Sequence, residues 1–87
     1  MFDNTKYIIV DQEGIELPVI FPHLINHSDM RHAGKVVSAG FCQMYATDGE
    51  NTVSVCVFGK SESLKLESRP EDKEIIEEWL NRWKRDY

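Results

Sequence analysis

The side chains in this sequence best suited to chemistry are imidazoles and thiols. His23, His27, Asp29 and His32 lie close together in the chain, with Cys42 and Cys56 further along. Neutral imidazole, thiolate and carboxylate are ligand types for zinc and similar metals. His23 and His27 stand four residues apart, which sets two rings on one helical face if a helix spans both. Pro22 and a helix start at Asn26 or Ser28 place His23 outside any such helix. The chain has no CxxC, no HExxH and no other ligand pair of diagnostic spacing. The plainer reading makes Asn26, Ser28 and Asp29 helix-capping residues and leaves the histidines on a loop and helix surface. No metal is therefore assigned, and His23, His27, Asp29 and His32 stand as candidate ligands only.

A cysteine nucleophile would need a base and an electropositive setting. His27 or His32 could supply the base, but nothing in the sequence sets either near a thiol. In a reducing cytosol, two thiols on a sheet are most often small buried hydrophobes. The densest charge is acidic: Glu67, Glu71, Asp72, Glu74, Glu77 and Glu78, interrupted by Arg69 and Lys73. Such a surface can mimic nucleic acid or dock on a basic partner, and Glu71, Glu74 and Glu78 are the candidate interface residues. The alternative is a solvated helix face sorted by the helix dipole. Trp79 and Trp83 suit an interface anchor or, more commonly, a core. With no glycine-rich phosphate loop and no GxSxG, no catalytic residue and no cofactor is assigned.

These groups sit in a chain of 87 residues, enough for a single domain over 1–87 and too short for two. Fifteen acidic against ten basic residues give a net charge of −5, which disfavours a phosphate backbone as partner. No apolar run is long enough to span a bilayer, and the first residues lack the pattern of a secretory signal. Composition thus predicts a cytoplasmic protein that binds neither nucleic acid nor membrane.

The elements that must position the candidates follow from pattern. Lys6 to Asp11 and Ile15 to Phe21 predict two strands of a hairpin turning at Gln12-Glu13-Gly14, with Gly14 at positive φ and Pro18 marking a sheet edge. One or two turns of helix are expected between Asn26 and Gly34, ended by Gly34 as a left-handed cap. Val36 to Ala46 and Thr52 to Phe58 predict a second hairpin through Thr47-Asp48-Gly49-Glu50-Asn51. A hairpin symmetric about Gly49 would set Cys42 opposite Cys56 and Phe58 over Gly40, leaving both of its faces part-apolar. Ser61 to Leu66 reads as a short strand with Leu64 and Leu66 on one side. Ser68 with Glu71 suggests a capping box, and Pro70 suits the first helical turn. Ile75, Ile76, Trp79, Leu80, Trp83 and Tyr87 then form one stripe, with Glu78 and Arg82 spaced for an ion pair. The expected fold is α+β: a four- to five-stranded, mostly antiparallel sheet, one short helix after the first hairpin, and a C-terminal amphipathic helix on one face.

The phrases Val19-Ile20-Phe21-Pro22, Ile25-Asn26-His27-Ser28-Asp29-Met30, Val36-Val37-Ser38-Ala39-Gly40-Phe41 and Ser68-Arg69-Pro70-Glu71-Asp72 resemble small uncharacterised proteins encoded by tailed bacteriophages and prophages. The resemblance implies a bacterial host cytoplasm and an accessory protein that binds rather than catalyses. The expected function is therefore a non-enzymatic interaction protein that pairs with itself, as a homodimer, or with another protein. The alternatives are an acidic-surface inhibitor of a host protein and a metal-binding protein or small enzyme built on His23, His27, His32 and the cysteines.

Overall fold

A computed structural model describes residues 5–47 and 52–85. Strands β1 (Thr5–Gln12), β2 (Ile15–Phe21), β3 (Lys35–Thr47) and β4 (Thr52–Phe58) form one antiparallel sheet in the order β2-β1-β3-β4. A 3-10 helix over His27–Ala33 joins β2 to β3. Strands β5 (Lys60–Ser61) and β6 (Leu66–Glu67) form a separate small hairpin before helix α1 (Pro70–Arg85). The α+β class, the C-terminal helix and the short helix after the first hairpin are as the sequence predicts. No helix among the described residues is long and apolar enough to cross a membrane.

The first hairpin turns on two residues with positive φ, Glu13 at 55° and Gly14 at 87°. Positive φ at both central positions matches the turn to the twist of its strands. The Gly14 N–H donates to Asp11 Oδ1 at 2.8 Å and fixes the turn. With Gln12 and Ile15 closing the loop, alternation sets Ile9 and Pro18 at a non-hydrogen-bonded pair. The N–H that proline lacks would thus point to the free side of β2, which is an edge strand as Pro18 predicts.

The second hairpin is one residue out of the expected register. Phe41 pairs with Phe58, Cys42 with Val57, Gln43 with Cys56, and Met44 with Val55. Cys42 and Cys56 therefore do not face each other: Cys42 is buried and Cys56 is exposed on the other side. Phe58 stacks on Phe41, ring centroids 5.8 Å apart, instead of lying over Gly40. The physical reason is sorting. A one-residue slip moves a whole strand's side chains between faces, and this register puts Val53, Val55 and Val57 beside Cys42 and Met44 under the helix. Gln43, Tyr45, Ser54 and Cys56 take the opposite face. The turn residues 48–51 lie outside the described residues.

Three further expectations change. The helix at 27–33 is 3-10, and Gly34 leaves it at φ 152°, ψ −163°, a mirror-extended conformation rather than a left-handed cap. Residues 61–66 are not one strand: the chain turns between β5 and β6, with Lys65 at φ 57°, and Leu64 and Leu66 still pack together on the same cluster. Ser68 does not cap α1, because its hydroxyl donates to Gly59 O at 2.9 Å. The helix-start carboxylate is Asp72, not Glu71: Asp72 Oδ2 accepts the Arg69 N–H at 2.9 Å. The stripe members Trp83 and Tyr87 cannot be placed, since the Trp83 side chain and residue 87 fall outside the described set.

The sheet is covered on both sides. Tyr7, Ile9, Cys42 and Val55 pack with Ile76 of α1, joined by half-buried Ile75 and Leu80. On the reverse, Ile8, Val10, Phe21 and Ala39 pack beneath Met30 and Ala33 of the 3-10 helix and Leu64 and Leu66 of the small hairpin.

Candidate functional site

Two polar constellations are built into these covers. On the helix side, Tyr7 and Asp72 are fully buried. The Tyr7 hydroxyl donates to Asp72 Oδ2 at 2.6 Å, and Arg69 Nε donates to Asp72 Oδ1 at 2.9 Å. Arg69 Nη2 reaches on to Glu16 Oε1 of β2 at 2.9 Å. Burial, followed by the Asp72 hydrogen bond and its negative charge, pushes the Tyr7 phenol far above its ordinary range, so it remains a donor. The Glu16 hydrogen bond leads the forces that raise Arg69, which burial opposes. Every oxygen of the buried carboxylate has a partner, and the arrangement ties α1 to both β1 and β2.

Further along α1, two side chains dress the free edge of β4. Val55 N–H donates to Glu77 Oε2 at 2.7 Å, and Val53 N–H donates to Asn81 Oδ1 at 2.8 Å. Asn81 Nδ2 also donates to Val53 O at 3.1 Å. The side-chain amide thus meets one residue's N–H and C=O together, as a neighbouring strand would. Lys73 Nζ holds Glu77 at 2.9 Å. Burial pushes the Glu77 carboxyl up, but Lys73 and the Val55 N–H together outweigh it and hold the group below the ordinary glutamate value. The pair found on this face is Lys73–Glu77, while the Arg82 guanidinium stands 5.8 Å over the Trp79 ring.

On the opposite side, His27 is 4% exposed. Its Nε2 lies 2.8 Å from Gly40 O. A carbonyl only accepts, so Nε2 carries the proton. Phe21 and Phe41 meet the imidazole edge-on, with centroids at 5.5 and 5.6 Å. At Gly40 itself a Cβ would stand 2.8 Å from Phe58 O and 3.0 Å from the Ser68 Cβ, so that strand position is closed to larger residues. Burial is the main force lowering His27 below the ordinary histidine value; Lys6 adds to it, and the Gly40 carbonyl works against it. An open groove of about 480 Å³ runs beside the ring, lined by Lys6, Asn26, His27, Phe41, Lys60, Glu62 and Ser63.

The residues singled out from sequence do not converge. His23, Asp29 and His32 are exposed, while His27 is enclosed and bonded to the backbone. Among the described residues, no three histidine, cysteine or acidic side chains are placed to hold a metal ion. Cys42 is buried on the helix side, where burial raises its thiol and the Thr5 hydroxyl partly offsets that. Thr5 Oγ1 donates to Cys42 O at 2.9 Å and lies 3.1 Å from Sγ, so the thiol proton faces Oγ1. Among the described residues, no base is hydrogen-bonded to it. Glu71, Glu74 and Glu78 are exposed on α1, as an interface would require. Tyr7, Glu16, Arg69 and Asp72 were missed as a group, as were Glu77 and Asn81. One signal was available: Arg69 and Asp72 are three apart across Pro70, a spacing that lets an N3 carboxylate reach back to the residue before the helix.

No family model matches this chain, and no curated protein or solved structure matches it either.

Proposed function

We propose that this chain is a small non-enzymatic accessory protein, phage- or prophage-encoded and acting in a bacterial cytoplasm, that works by binding protein, with a second copy of itself as the first partner. The supporting observation is how the buried reactive groups are used. The Tyr7 phenol, the Asp72 carboxylate and the Cys42 thiol are each bonded within the fold, and the enclosed His27 ring spends its Nε2–H on Gly40 O. A general base or nucleophile needs a free face toward a substrate. One exposed surface suited to contact is the far end of the β3–β4 hairpin, on the side away from α1. There Tyr45 is 48% exposed, with Ser54 and Cys56 beside it. A two-fold pairing of this patch is isologous and closes as a dimer. Sedimentation across the micromolar range tests it. Dimer formation that Tyr45→Glu abolishes, at unchanged melting temperature, supports the reading; a strict monomer at the highest concentration removes self-association.

A second reading rests on the outward face of α1. Glu71, Glu74 and Glu78 are exposed while Glu77 is turned in to the sheet, so the outer row is acidic and faces solvent. This suits a basic protein surface, and the reading makes the chain an inhibitor that occupies it. Pull-down from host lysate with the native chain and with Glu74→Lys/Glu78→Lys distinguishes the two. A partner lost on charge reversal and at high salt favours the acidic face; one retained in both excludes it.

A further inference from the structure

The segment 22–34 crosses the reverse side of the sheet as a strap with two pins. Lys6 Nζ of β1 donates to Ile25 O at 2.9 Å, and His27 Nε2 donates to Gly40 O of β3 at 2.8 Å. Between its ends the backbone adds little. The helix is 3-10, with poorer hydrogen-bond geometry than an α-helix, and Asn26 at its start makes no side-chain capping bond. Beneath lie Ile8, Val10, Phe21 and Ala39, all buried, with Met30 and Ala33 pressed on them.

The charges around His27 come from several elements. β1 contributes Lys6, β5 contributes Lys60, and the β5–β6 turn contributes Glu62. From β2 and β3 the ring meets Phe21 and Phe41, which do not titrate. Asp29 and His32, on its own helix, are exposed to water. Among the described side chains lining the groove, one carboxylate thus stands against two ammonium groups around an imidazole that water scarcely reaches. A proton gained here makes a third positive charge, without the solvation that an exposed imidazolium enjoys.

We propose that segment 22–34 is an acid-released strap: protonation of His27 lifts the 3-10 helix from the sheet and uncovers the apolar surface of Ile8, Val10, Phe21 and Ala39. The bond to Gly40 is not what breaks the state, since Nε2–H donates in both forms. The drive is hydration of the new charge, available only when the ring swings out. Released, the imidazole titrates near its ordinary value, so the open form binds the extra proton at a higher pH than the closed form. Lowering the pH therefore favours opening.

Amide hydrogen exchange over residues 22–34, corrected for the intrinsic rate, reads the opening constant. For one imidazole of ordinary pKa about 6.5 when released, opening rises by up to about eightfold between pH 7 and 5.5. The core amides of β1 and β3 open only with the whole fold, so they stay far better protected than the strap across that range. His27→Gln keeps an N–H donor for Gly40 O and cannot titrate, so its strap should open equally at both pH values. His23→Gln/His32→Gln should retain the full response. An unchanged opening constant in the native chain, or the same rise in His27→Gln, overturns the proposal. Should His27→Gln not fold, carbon-detected imidazole titration of the native chain decides: His27 must protonate below His23 and His32, and protonation at or above them overturns it.

Discussion

The two covers of this sheet are fastened by different physics. α1 is held by a buried carboxylate with a phenol, a backbone amide and a guanidinium on its oxygens, continued by a salt bridge to β2. It is held again at the far edge by Glu77 and Asn81. The strap over the other face has one imidazole and one lysine, both bonded to carbonyl oxygens. Both covers bury apolar surface, so hydrophobicity does not separate them. Redundancy does: removing one group of the helix side leaves others in place but strands a buried donor, whereas the strap has little to strand and little to spare.

The largest break should come from Asp72. Asp72→Ala strands the buried Tyr7 hydroxyl and the Arg69 N–H at the helix start, while Arg69 keeps Glu16; a stranded buried donor and a lost helix-start acceptor together cost about 2–4 kcal/mol. Urea unfolding should show this loss with an unchanged denaturant slope. A cost below about 1 kcal/mol would mean water replaces the carboxylate and the comparison is wrong. Tyr7→Phe is gentler. It keeps the ring in the core and removes one bond to a charged acceptor, a loss of about 1.5–3 kcal/mol. Its measurement is the same unfolding curve, and the two losses should not add, because both act on one carboxylate.

Asn81→Ala tests the edge. It leaves the N–H and C=O of Val53 to water, which can reach a half-buried strand, so the stability cost is about 0.5–1.5 kcal/mol. The sharper readout is faster exchange of the Val53 amide with little change at Val55, which Glu77 still holds. Equal protection in the variant would show that the helix merely lies beside β4.

Much of this frame was legible in the sequence, and the failures have a common cause. Strand β1, the Glu13–Gly14 turn, the edge position of Pro18 and the start of α1 at Pro70 all depend on local chemistry, and local chemistry is written in adjacent residues. The β3–β4 register depends instead on which face the helix covers, a decision made by Ile76 and its neighbours far along the chain. Symmetry about Gly49 was a local argument applied to a tertiary question, and it set Cys42 opposite Cys56 wrongly. The same limit hid the polar network. Tyr7 and Asp72 are 65 residues apart, and a tyrosine within a β-branched run reads as one more apolar residue until its hydroxyl is found beside a carboxylate. The histidines erred the other way: grouped in sequence, they are separated in space, because only His27 turns inward.

The smallest effect gives the finest test of the difference between the covers. Lys73 and Glu77 are an i,i+4 pair on a partly exposed helix face, so Lys73→Met should cost only about 0.3–0.5 kcal/mol at neutral pH. Its value lies in where the pH dependence falls. Glu77 is held below the ordinary glutamate value in the fold. The unfolded chain therefore binds that proton first, so the stability Glu77 contributes is complete above about pH 4.3 and is lost as pH falls through the folded value. His27 is also lowered, but from about 6.5, so its contribution declines as soon as pH drops below that point. The strap should respond to mild acid and the helix edge only to strong acid. Lys73→Met removes a cation that lowers Glu77, and should shrink the strong-acid limb while leaving the mild-acid limb untouched. Stability measured in urea from pH 7.5 to 3.5 separates the limbs; a variant that alters both equally would show the two covers to be one cooperative unit.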